Sequence, residues 1–108
     1  MTIDKNIHLC PLKKKLLSRL GPNYAARIID GEPCVYRDLG DYDIEISGGS
    51  SRHPFYVYVW RKTPQMEIVE QHKNTYRSFL EMEALLNNIV LRYKCRNANS
   101  DNNMTNNE

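Results

Sequence analysis

Four acids fall within a short stretch, Asp38, Asp41, Asp43 and Glu45, and the last three alternate in a way that puts their carboxyl groups on one side of an extended chain. Carboxylates gathered on one strand face can hold Mg²⁺ for phosphodiester cleavage. A centre of that kind draws a lysine two residues beyond an acid on the next strand, yet Glu67 is followed by Ile68 and Val69. The alternation fits a solvated strand face, neutralised by basic neighbours, better than a metal centre.

Other reactive types are scattered. Cys34 and Ser51 are candidate nucleophiles with His53 or His72 as base, but no strained elbow or fixed spacing joins them. Gly48-Gly49 follows a strand pattern and leads into another strand, without the Lys-Ser/Thr and helix that a phosphate cradle needs. His8 and Cys10 stand two apart with no second ligand pair. Cys10, Cys34 and Cys95 are odd in number and lack a Cys-x-x-Cys, so neither a disulfide framework nor a zinc ribbon is expected. No catalytic residue, metal or cofactor is expected, and the chain reads as a non-enzyme.

Two surface features remain. Tyr56, Tyr58 and Trp60 share one side of a strand whose other side is Phe55, Val57 and Val59. If the aliphatic side faces a helix, the aromatics stand on an open sheet face beside Asp43 and Glu45, which would repel phosphates and suit a protein partner. A shift of one residue would instead bury them beneath the N-terminal helix. The second feature is basic: Lys13, Lys14, Lys15 and Arg19 lie on or beside the polar side of that helix, with Arg61 and Lys62 as further cations for nucleic acid.

These residues need elements to hold them. Pro11 opens a short helix with Leu12, Leu16, Leu17 and Leu20 at helical spacing, and Gly21-Pro22 stops it. Residues 24–29 and 34–39 flank Asp30-Gly31-Glu32-Pro33, a connection of hairpin length, although Tyr24-Ala25-Ala26-Arg27 could also extend a helix. Residues 42–47 alternate Tyr42, Ile44 and Ile46 with Asp43, Glu45 and Ser47, the period of a half-buried strand. Strands over 55–61 and 66–71 complete a meander. Ser78 with Glu81 makes a capping box for a helix over 79–95, whose stripe is Phe79, Met82, Leu86, Ile89, Val90 and Tyr93.

The order of helix, strands and helix resembles that of double-stranded RNA-binding domains. Those present a lysine-rich start of the last helix to phosphates, whereas this one begins Ser78-Phe79-Leu80-Glu81-Met82-Glu83, so no functional residue is carried across.

The expected fold class is α+β: a short N-terminal helix, a three- to four-stranded antiparallel meander and a C-terminal amphipathic helix packed on one sheet face. The expected organisation is an N-terminal extension at 1–9, a single domain at 10–96 and a disordered tail at 97–108, which holds six Asn and little apolar surface. With 108 residues, 41% hydrophobic and 26% charged, the chain suits one small domain and excludes a two-domain enzyme. No apolar run approaches a membrane span, so a cytoplasmic protein is expected. The net charge of +2 conceals a split, from +6 over residues 5–27 (six basic, no acidic) to −5 over residues 30–45 (six acidic, one basic). The expected function is a small protein-interaction domain, such as an accessory or inhibitor protein of a phage or mobile element. Nucleic-acid binding through the basic helix is the alternative.

Overall fold

The structure is a computed structural model that describes residues 7–49, 55–73 and 78–102, the last eight of these through their backbone only. Its order is α1 (Pro11–Leu20), β1 (Ala25–Ile29), β2 (Glu32–Asp38), β3 (Tyr42–Ser47), β4 (Tyr56–Arg61), β5 (Glu67–Lys73) and α2 (Phe79–Asn102). The five strands form one antiparallel meander in sequential order. The α+β expectation holds, with five strands where three to four were expected.

The extra strand is β1, over the segment that could have continued a helix. Gly21 ends α1 with φ 87° and its N–H bonded to the Leu17 carbonyl, so the chain leaves the helix there. The residues left before the next turn are too few for a stable helix, and pairing with β2 decides their conformation. The turn is tighter than expected: Ile29 pairs with Glu32, leaving Asp30 and Gly31 as a two-residue loop, both at positive φ. Asp-Gly favours this geometry because the mirror-image turn matches the twist of the two strands. Pro33 thus belongs to β2 rather than to the connection.

Both helices lie on one side of the sheet. Val35, Ile44, Ile46, Val57 and Val59 point there, and Leu16 of α1 and Met82, Leu86, Ile89 and Tyr93 of α2 pack onto them, all within 3% of complete burial. Each such side chain stabilises the fold by roughly 1.5–3 kcal/mol. The Ser78 hydroxyl accepts the Glu81 N–H at 3.1 Å, as the capping-box spacing requires. The second helix runs to Asn102, seven residues beyond the expected stop at Cys95 and into the stretch read as a tail, while 103–108 lie outside the described residues. Residues 1–6 of the expected extension lie outside them as well.

One irregularity shapes β5. Val59 pairs with Glu70, but Trp60 pairs with Ile68, so Val69 is an extra residue in the ladder. This bulge lets Glu70 stand on the helix side with Val59 while Ile68 stands on the opposite side with Trp60.

Candidate functional site

The side of the sheet away from the helices is built by register. Across β3 and β4, Asp43 faces Trp60, Glu45 faces Tyr58 and Ser47 faces Tyr56, so the three aromatics share a face with both carboxylates. Tyr36 of β2 pairs with Glu45, and Cys34 lies on the same side. All four aromatic residues are half-buried, and among the described residues no helix covers them. The aliphatic side is the one that meets the helices, so the aromatics do not lie under α1.

The acids, however, do not form a solvated face. Asp43 and Glu45 are each only 8% exposed, because β3 is the middle strand and larger side chains lean over it from both neighbours. Asp43 accepts the Tyr36 hydroxyl at 3.0 Å and lies 3.2 Å from the Lys62 ammonium, which also reaches Asp38 at 2.8 Å. Glu45 accepts the Trp60 indole N–H at 2.8 Å through Oε1. Its Oε2 has the Cys34 thiol at 4.0 Å, a long and weak contact. Burial pushes the Glu45 carboxyl above the usual range. The indole hydrogen bond opposes that rise, and the nearby negative charges of Asp30 and Glu32 add to it.

These groups border a surface cleft of about 340 Å³. Glu45, Asp43, Tyr36 and Trp60 line it from the sheet, with Arg27 to Asp30 on the β1 side and Met66 before β5. The Arg27 guanidinium lies over the Tyr36 ring, 4.5 Å from its centroid. Met66 is 53% exposed and Ile29, which pairs with Glu32, stands on this face, so the rim is apolar while the centre is acidic.

The other candidates are placed differently. Lys13, expected on the polar side of α1, is 4% exposed; its ammonium meets Glu32 at 3.1 Å and bonds the Pro33 carbonyl. Arg19 pairs with Glu83 of α2 and lies over the Phe79 ring. Arg61 pairs with Glu67. Lys14 and Lys15 are exposed, and among the described residues neither has an ion-pair partner. Lys13 with Glu32 thus joins the basic and acidic segments directly, while Lys62, from outside both, offsets Asp38 and Asp43.

Of the groups weighed for nucleophilic chemistry, the two described ones, Cys34 and His72, stand on opposite sides of the sheet. Cys34 is fully buried and its thiol is pushed up to about 12 by burial and by the charges of Glu32 and Glu45. His72 stands on the helix side, 2.6 Å from Glu70. Ser51 and His53 lie outside the described residues. The carboxylates do not gather either: Asp38 and Asp41 are exposed, and no group of three metal-ligating side chains meets among the described residues. No described helix is long and apolar enough to cross a membrane.

Sequence reasoning missed Tyr36, Lys62 as the counter-ion of Asp43, and the rim of Ile29 and Met66. Tyr36 alone carried a signal, since Cys34, Tyr36 and Asp38 alternate as Asp43, Glu45 and Ser47 do. In comparison with known proteins the chain matches no family model, no curated protein and no solved structure.

Proposed function

We propose that the chain is a small non-enzymatic protein-interaction domain that binds its partner through the open sheet face, with Tyr56, Tyr58 and Trp60 as anchors around Asp43 and Glu45. One observation carries this reading: both helices pack on one side of the sheet, while the other side keeps half-buried aromatics and an acidic cleft with an apolar rim. Tyrosine and tryptophan supply large contact area with few rotatable bonds, which is why such residues dominate binding energy at protein interfaces. An inhibitor or accessory protein needs no more than such a face on a rigid sheet.

The test compares two faces of the molecule. Tyr58→Ala with Trp60→Ala should abolish co-purification of a partner that the wild-type chain retains. Leu80→Ala with Leu91→Ala, which changes exposed apolar positions of α2 on the other side, should retain it. Circular dichroism should show both variants folded. If the Leu80 and Leu91 pair loses the partner and the Tyr58 and Trp60 pair keeps it, the binding face is the wrong one.

A further inference from the structure

Glu45 differs from Asp43, the other buried acid of this face. Lys62 offsets Asp38 and Asp43, Lys13 meets Glu32, and Arg27 lies over Tyr36, but among the described residues Glu45 has no basic partner. Its carboxyl is nine-tenths buried yet borders the cleft, with Oε1 held by the indole N–H and Oε2 facing, among the described residues, a thiol at the limit of contact. A carboxylate withdrawn from water without a cation is costly, and a cation delivered from outside removes that cost. The walls suit a planar cation, since the Trp60 ring flanks the acid, and Ile29 and Met66 offer apolar surface at the rim for an alkyl stem. The molecule already stacks one guanidinium here, Arg27 on Tyr36.

We infer that the cleft receives an arginine side chain from the partner, its guanidinium on Glu45 beside Trp60 and its stem along Ile29 and Met66. This rests on the reading of the open face as a protein-binding surface and adds which residue that surface selects. The partner is therefore an extended basic segment rather than an acidic or wholly apolar one. Lysine fits less well, because a compact ammonium neither stacks on the rings nor spans two carboxylate oxygens.

The full chain, immobilised, is panned against a random peptide library, and the selected peptides are synthesised and titrated into wild type, Glu45→Gln and the Tyr58→Ala Trp60→Ala variant. Glutamine keeps the size of Glu45 and an oxygen for the indole N–H, so that variant should fold. The expected result is a recurrent arginine in the selected peptides. Replacing that arginine in the peptide or Glu45 in the protein should each weaken binding by about tenfold or more, and the two changes together should cost little beyond either alone. Peptides that need Tyr58 and Trp60 but lack a fixed arginine, or bind Glu45→Gln as well as wild type, overturn the arginine assignment and leave the open face standing. Peptides indifferent to Tyr58 and Trp60, or no binders at all, overturn both.

Discussion

Glu70 and Glu45 are acids on opposite faces of one sheet, and the protein treats them in opposite ways. Glu70 stands on the helix side, where Arg92 of α2 meets it with two hydrogen bonds at 2.7 and 2.8 Å and the Tyr93 hydroxyl donates a third at 2.7 Å. The Arg92 guanidinium above all, with Tyr93 and His72, holds its carboxyl down at about 2. Among the described residues Glu45 has an indole N–H and no cation, and burial moves its carboxyl the other way. One acid is finished by the fold, tying the edge strand β5 to the last helix. The other is left incomplete beside a cleft, and sites that bind are where a fold tolerates such incompleteness.

Substitutions ranked by size sharpen the contrast. The largest loss should come from the helix side: Leu86→Ala, at a fully buried position, should cost about 2–5 kcal/mol in chemical denaturation, more than any change on the open face. Glu70→Gln comes next, at about 1–3 kcal/mol at neutral pH, below the full value of its shift because solvent reaches Arg92. Since the folded carboxyl titrates below the unfolded one, wild type should lose this stability as pH falls from about 4.5 toward 2, and the variant should show no such loss. Equal acid sensitivity in the two proteins would remove Glu70 as the latch.

On the open face the effects are smaller, and one changes sign. Trp60→Phe keeps a ring but removes the donor to Glu45, for a cost of about 1 kcal/mol at neutral pH. Glu45→Gln should raise stability at neutral pH by less than about 1 kcal/mol, since it removes a charge that burial disfavours. With a folded carboxyl that titrates above the unfolded one, wild type is most stable relative to this variant below about pH 4.5 and loses ground as pH rises through the folded value. A destabilised Glu45→Gln protein at pH 7 would mean that the acid serves the fold and not the cleft.

The helix starts and the middle strands were legible because each follows one period: Pro11 and Gly21 bound α1, Ser78 caps the start of α2, and β3 and β4 alternate throughout, whereas nothing in the period marked the end of α2 at Asn102. Period two grouped Asp43 with Glu45 and Tyr58 with Trp60, but only the register of β3 against β4 decides that the two groups share a face. What could not be read depends on tertiary context. Ala25, Ala26 and Arg27 favour helix by intrinsic propensity, and pairing with β2 overrides this to make Ala25–Ile29 a strand. The bulge at Val69 breaks the alternation of β5, so no fixed period could place Glu70 with the helices and Ile68 on the other side. The burial of Asp43 and Glu45 was hidden because it comes from Tyr36 and Trp60 on neighbouring strands, and Lys13 was misjudged because its polar partners lie on β2.

Trp60 is the chain's single tryptophan, and it stands on the face away from the helices. Indole emission from this protein is therefore an optical gauge of the surroundings of Glu45 and is nearly blind to how the helices seat on the sheet. A melting curve followed by that light reports the cleft, while the helical dichroism reports the opposite layer, so the two signals together tell local opening from global unfolding. Because the hydrogen bond to Glu45 sets the polarity the indole senses, any molecule that draws the carboxylate away should shift its colour, and occupancy can be read without a label.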